Sequence, residues 1–374
     1  MKFTYERAGK VVVGMIMFCL SAFILVMMAL SDGQYIQKAF GMSENSIFYS
    51  FFARIQNART GQTEVEYLGM PLAMLVYKVL SFAMPSYLIG LPVEDFRFTQ
   101  QANIVCVGFM FLCFAIFACL TVLSRKKVYI TWILLDFLFS LPGFTIINDG
   151  GMGFLTLIFL MIFLDNYQSE NKALEEISYG CLGIAAGLQV SLLLYIFLLK
   201  DWKKRIRTVV YAVVITGLSC MIAGGLSGLE DYVLVLSHEV FDGWGILFFA
   251  FGVLLMVIPL KCGNDWEKTV CVSLLVNIIF YGSREYALSC LLVPLIIDCV
   301  YEERTTVEKI LCIIFQGLMA VLLYLGSDVT VVKIICVMMA AAGCIIILIK
   351  EKSGRYGNIF KSAFCTHYFI NIFH

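Results

Sequence analysis

Chemistry in this chain has to come from a handful of charged residues set between long apolar runs. Asp32 and Glu44 follow the first such run, Val11 to Leu30, while Arg54, Arg97 and Arg284 fall in later polar gaps. A carboxylate in that position can take a proton from an attacking hydroxyl, and a guanidinium presents a planar fork of donors to an anion. Arg284, in Tyr281-Gly282-Ser283-Arg284-Glu285-Tyr286, has the setting of an anion grip at a membrane interface; its alternatives are an ion pair with neighbouring acids or a snorkelling anchor. Asp149, in Asn148-Asp149-Gly150-Gly151, has the composition of a helix N-cap that doubles as a polar ligand group. His238 and Glu239 share an acidic gap with Glu230, Asp231 and Asp242, the composition of a solvated helix end. Asp136 lies deep in an apolar run and would be the relay residue of a proton-coupled carrier.

The elements that must position these groups are membrane helices. Hydrophobic residues make up 61% of the 374 and charged residues only 14%, more apolar surface than a water-soluble core can hide. Of the fourteen Cys, Cys106, Cys113, Cys119, Cys220, Cys290, Cys336 and Cys344 lie inside apolar runs, no CxxC pattern occurs, and with only three His no metal or other cofactor is expected. No basic stripe suggests nucleic acid, and no Gly-rich loop followed by Lys suggests nucleotide hydrolysis.

Sidedness comes from Lys and Arg. Arg125, Lys126 and Lys127, then Lys200, Lys203, Lys204, Arg205 and Arg207, then Lys350, Lys352 and Arg355 occupy alternate gaps, which are expected to face the cytoplasm. Of the 27 basic residues only Lys38, Arg54, Arg59, Arg97 and Arg284 fall in the outward gaps, and Lys78 and Lys333 lie within runs. The run Val11 to Leu30 is long enough to span and is expected to be retained, with both termini cytoplasmic.

Parity then demands two irregular segments. Leu68 to Leu91, broken by Pro71 and Pro85, is expected to dip in and return at Met84 and Pro85 as two short helical halves. Ile177 to Leu199 has cytoplasmic flanks on both sides, so Gly180, Gly183, Gly187 and Gln189 are expected to mark a second bent or re-entrant pair. Val128 to Ile147 is read as a single outward run. The expected fold is an all-α polytopic bundle of about 10–13 membrane segments, including these Pro- and Gly-broken pairs. Residues 1–350 would form one transmembrane domain, with 31–67 as an outer loop carrying interfacial helices and 351–374 as a cytoplasmic tail.

A long first outer loop leads through Tyr49 and Gly61 into Tyr67-Leu68-Gly69-Met70-Pro71-Leu72; the turn Asn148-Asp149-Gly150-Gly151 opens a helix; and Gly180-Cys181-Leu182-Gly183-Ile184-Ala185-Ala186-Gly187-Leu188-Gln189 precedes Lys200-Asp201-Trp202-Lys203-Lys204. In this order the chain resembles the GT-C class of integral-membrane glycosyltransferases, in particular the polyprenyl-phosphate-mannose-dependent glycosyltransferase family 87, over roughly residues 1–300. The chain departs from that family in having Gly151 where members often have Gln, and Gln189 where they have Lys.

The resemblance implies a GT-C-like fold and transfer of a hexose, mannose being the sugar of that family, from a polyprenyl-phosphate donor to a glycan or glycolipid acceptor outside the cytoplasmic membrane. Asp32 or Glu44 would be the catalytic base; Arg284, Arg54 and Arg97 would hold the donor phosphate; Asp149, His238 and Glu239 would contact donor or acceptor sugar. Membrane lipid is the other expected partner. The rival readings are a polymerase or ligase of lipid-linked sugars, a transporter or flippase, and a non-catalytic assembly subunit.

Overall fold

The computed structural model describes residues 26, 30, 48–60, 70–124, 140–223, 244–280, 288–294, 310–311, 313–319 and 329–352. Among them every regular element is helical: α1 Tyr49–Thr60, α2 Pro71–Phe82, the single turns α3 Ser86–Ile89 and α4 Val93–Phe96, α5 Gln100–Ser124, α6 Leu141–Asn148, α7 Met152–Asn166 and α8 Lys172–Leu188. A 3-10 segment, Val190–Leu198, follows; then come α9 Trp202–Ala223, α10 Trp244–Cys262, α11 Asp265–Phe280, a 3-10 turn Leu288–Leu291 and α12 Val329–Lys352.

Three windows, Gln100–Phe117, Trp202–Ile222 and Thr330–Ile349, are long and apolar enough to cross a membrane. Their outward faces are apolar too. On α9, Ile206, Val210, Val214, Leu218 and Met221 are exposed at three- and four-residue spacing, and on α12 so are Val331, Ile334, Met338, Ile345 and Ile349, spaced by one or two turns of one helix face. Stripes of this length far exceed the apolar patches a soluble monomer tolerates, so the surrounding solvent is lipid. The protein is a helical, multi-pass membrane bundle.

Polar contacts gather at two levels of the bundle, separated by the length of α7, about 22 Å at 1.5 Å per residue. At the end reached by the C-terminus of α7, the Gln168 amide donates to Asp265 at 3.2 Å, Lys204 pairs with Glu175, Arg207 pairs with Glu176, and the Arg205 guanidinium donates to the Leu199 carbonyl at 2.7 Å. Residues 165–176, 199–207 and 265 therefore lie together. These are the gaps that the distribution of Lys and Arg assigns to one side.

This grouping makes the segment from Lys172 to Leu199 re-entrant. α8 climbs away from the polar end, the backbone turns extended at Gln189 (φ −150°, ψ 106°), and the 3-10 segment returns to where it began. A nine-residue 3-10 run is long for its kind, and at 2 Å per residue it covers more distance than an α-helix of the same length. Gly183 and Gly187 let α8 lie close against α9: a Cβ at Gly183 would sit 3.0 Å from Tyr211 Cβ and 3.1 Å from the Ala212 nitrogen. Small residues four apart are how membrane helices gain van der Waals contact where lipid supplies no hydrophobic drive.

The proline-broken stretch differs from expectation in one respect. The break does fall at Met84 and Pro85, but up to Leu91 the returning part is one single turn, α3, rather than a half matching α2, and a second turn, α4, follows Pro92. The backbone carbonyls this frees are met by α1. The Gln56 amide donates to the carbonyls of Ile89 (3.2 Å) and Leu91 (2.7 Å), and Arg59 donates to that of Ser81 (2.9 Å). Irregular backbone at membrane depth needs such internal partners.

The run Val128 to Ile147 is not one helix either. Ser140 adopts an extended conformation, its hydroxyl accepts from the Gly143 N–H, and α6 starts anew at Leu141 with Pro142 in its first turn.

Candidate functional site

The site is built where α1 meets the turn between α6 and α7. Asn148 and Asp149, next to each other in sequence, each hold a different part of the first loop. The Asn148 side-chain oxygen accepts from the Phe48 N–H at 3.2 Å, and Asp149 Oδ1 accepts from Arg54 Nη1 at 2.5 Å. Phe48 has φ +58°, a left-handed conformation that costs an aromatic residue about 1–2 kcal/mol, so the contact with Asn148 fixes a strained entry into α1.

Two glycines make this docking possible. Gly150 and Gly151 have φ +64° and +88°. A Cβ at Gly150 would lie 2.3 Å from the Phe51 ring, and one at Gly151 would lie 2.9 Å from the Met110 Cα. Only hydrogen fits in both places, and both conformations strain an L side chain. Gly151, not Asp149, is the N-terminal boundary of α7; Asp149 instead closes α6, and its carboxylate is committed to Arg54. The N-cap role read from sequence for Asp149 is thus replaced by an ion pair.

The turn is sunk rather than superficial. Gly151 packs on Met110 and the Phe154 ring meets those of Phe114 (5.5 Å) and Phe117 (5.9 Å), so α7 runs parallel to α5 but starts ten residues later. That offset is about 15 Å along the helix axis. It places the Arg54–Asp149 pair beside the middle of the spanning window Gln100–Phe117. The two side chains are 9% and 1% exposed.

Aromatic rings wall the pair. Phe51 stacks against Phe109 and meets Tyr77 edge-on, and Phe52 meets Phe96 edge-on at 5.0 Å. Arg97, buried beside Phe96, lies with its guanidinium 4.4 Å from the centre of the Phe98 ring. Arg97 thus directly follows the residue through which α4 packs on Phe52 of α1. An ion pair in this setting carries a large desolvation cost that Coulomb attraction and geometry must offset. What it provides chemically is a guanidinium whose direction is fixed by Asp149 deep in the bundle.

Of the residues singled out in the sequence, the structure brings Arg54 and Asp149 together and buries Arg97 separately, just after α4, where α4 packs on α1. Asp32, Glu44, His238, Glu239 and Arg284 lie outside the described residues. Among the described residues no three His, Cys, Asp or Glu side chains converge as a metal site would require.

A second buried polar group was not singled out in the sequence. Thr269, Ser273 and Asn277 recur every four residues on α11, each donating to the carbonyl four residues back (2.8, 2.8 and 3.0 Å). The Tyr195 hydroxyl on the 3-10 segment lies 2.6 Å from Ser273 Oγ. Since the one Ser273 proton goes to the Thr269 carbonyl, Tyr195 is the donor. The signal was available: three polar residues at helical spacing inside the apolar run Thr269 to Phe280.

No family model matches the chain, and no curated protein and no solved structure matches it.

Proposed function

We propose that the protein is a membrane glycosyltransferase that moves a hexose from a polyprenyl-phosphate donor to a glycan or glycolipid acceptor at the outer face of the cytoplasmic membrane. The observation that carries this reading is the buried Arg54–Asp149 pair, which fastens the first loop to the 148–151 turn at membrane depth. A lipid-linked phosphate stays in the plane of the bilayer, so its protein partner must present positive charge there. A lone guanidinium at that depth is costly, and Asp149 offsets the cost while fixing its direction.

In the reaction, the acceptor hydroxyl attacks the anomeric carbon and loses its proton to a carboxylate, for which Asp32 and Glu44 are the candidates. The bond between the anomeric carbon and the phosphate oxygen breaks, and the electron pair leaves with the polyprenyl phosphate. Arg54, with Arg97 and Arg284, would stabilise the charge gathering on that phosphate. Asp149, His238 and Glu239 would orient the sugars.

Transfer from radiolabelled polyprenyl-phosphate hexoses in isolated membranes tests this reading, with the parent compared to Asp32→Asn, Glu44→Gln and Arg284→Ala. Label should pass to an acceptor with the parent and fall by about 100-fold or more in the variant that lacks the base. Full transfer by all three variants would remove the site assignment. No transfer by the parent with any of several donors would remove the enzyme.

One observation favours a second reading, a carrier. The re-entrant pair formed by α8 and the 3-10 segment ends at a buried Gln189 within the bundle, and broken helices with polar residues at mid-depth are how many transporters hold substrate. Uptake of label into vesicles without its transfer to an acceptor would select it.

A further inference from the structure

We infer that the break between α8 and the 3-10 segment, together with Asn277 on α11, forms a binding site for a monovalent alkali cation. The site is separate from the Arg54–Asp149 pair and does not depend on sugar transfer.

The inference starts from oxygens that lack donors. Gln189 and Asn277 are 2% and 0% exposed, and the side-chain oxygen of each is buried without a hydrogen-bond partner. For Asn277 the assignment of oxygen and nitrogen is fixed by chemistry: its other amide atom contacts the Ser273 carbonyl, which can only accept. For Gln189 the amide nitrogen donates to Ser191 Oγ at 2.7 Å. A bare amide oxygen in a protein interior costs about 1–3 kcal/mol, so two in neighbouring elements call for an occupant.

Both oxygens lie toward the end of their elements that is away from the polar end of the bundle. The 3-10 segment and α11 run antiparallel, because Leu199 and Asp265 share the polar end of the bundle. Gln189 is ten residues from Leu199, about 20 Å at 3-10 rise, and Asn277 is twelve residues from Asp265, about 18 Å at α-helical rise. Counted from the Tyr195–Ser273 contact, Gln189 lies about 12 Å and Asn277 about 6 Å farther from that end, a difference that the lengths of the tyrosine, glutamine and asparagine side chains take up.

The backbone adds acceptors of the same kind. α8 ends at Leu188; its Ala185 carbonyl accepts from the Gln189 N–H, and the carbonyls beyond it carry the negative end of the helix dipole. Amide oxygens, a serine hydroxyl and helix-end carbonyls make an uncharged, oxygen-rich set. Such a set replaces the hydration shell of Na+ or K+, whereas a divalent ion would require carboxylates.

Thermal unfolding of the purified protein in detergent tests this, in NaCl, KCl and N-methyl-D-glucamine chloride at equal ionic strength. One of the two alkali salts should raise the unfolding temperature saturably, by about 3 °C or more, over the organic cation. Asn277→Leu and the milder Gln189→Ala should abolish that difference, while Asn277→Asp should enlarge it. Retention of 22Na+ or 86Rb+ by the parent in a binding assay gives the same answer if a variant fails to fold. Equal unfolding temperatures for the parent in all three salts, with no isotope retained, would leave the two oxygens to bound water and overturn the site.

Discussion

Ion pairs occur at two levels of this bundle, and they do different work. Arg54–Asp149 joins residues 95 apart in sequence, is almost wholly buried, and lies level with the middle of a spanning helix. Lys204–Glu175 and Arg207–Glu176 join the starts of α8 and α9 at the opposite end, with the Arg207 and Glu176 side chains 50% and 39% exposed. Exposed pairs gain about 0–1 kcal/mol and are screened by salt. A buried pair is worth little over an apolar replacement but is expensive to break on one side only. The difference teaches that the first pair specifies a geometry, whereas the second marks which segments share a face of the membrane.

The largest effect is therefore expected from breaking the buried pair. Arg54→Ala or Asp149→Ala should destabilise the protein by about 3–5 kcal/mol, read as a loss of unfolding temperature in detergent. A loss no greater than that of an exposed-pair variant would erase the contrast between the two levels.

Next in size is the turn that carries Asp149. Gly151→Ala places a Cβ against the Met110 backbone at φ +88°, and a destabilisation of about 1–3 kcal/mol is expected. Gln at this position, as the resemblance to family 87 would have it, should be worse still, since a longer side chain meets the same backbone. Wild-type stability in Gly151→Gln would show that α5 and α7 can move apart.

At the exposed end the changes should be small. Glu175→Gln is expected to cost less than about 1 kcal/mol, and less again in high salt. The hydrogen bond from Lys204, followed by that from Tyr179, holds the Glu175 carboxyl below the ordinary carboxylate range. Because its pKa is lowered on folding, the contribution is present above the unfolded value and disappears as pH falls through the folded value. A pH titration of unfolding temperature should show the parent losing its advantage over Glu175→Gln in that acidic window and holding it at neutral pH.

The same contrast explains what the sequence disclosed. Alternation of Lys and Arg between gaps was enough to require that Ile177 to Leu199 return to the side it entered, and the Glu175–Lys204 and Glu176–Arg207 pairs meet that requirement. Pro85 and Gln189 mark the two breaks because a missing N–H and a polar side chain after a glycine-rich stretch are local signals. The partnership of Arg54 with Asp149 is nonlocal, and no periodicity connects positions 95 apart. Nor did the sequence reveal that the 148–151 turn is sunk, since that depends on the ten-residue offset between α5 and α7. Ser140 was a missed local signal: a capping hydroxyl two residues before Pro142 starts a helix even within an apolar run.

The central claim is that α1 and the 148–151 turn form one site through a buried ion pair, and a double-mutant cycle tests it most directly. Unfolding free energies would be measured for Arg54→Leu, Asp149→Leu and the double variant. The double variant should be more stable than either single variant, with a coupling of about 2–3 kcal/mol, because it leaves no charge stranded at membrane depth. Simple addition of the two single losses would mean that the residues do not meet there, and the site would fall with them.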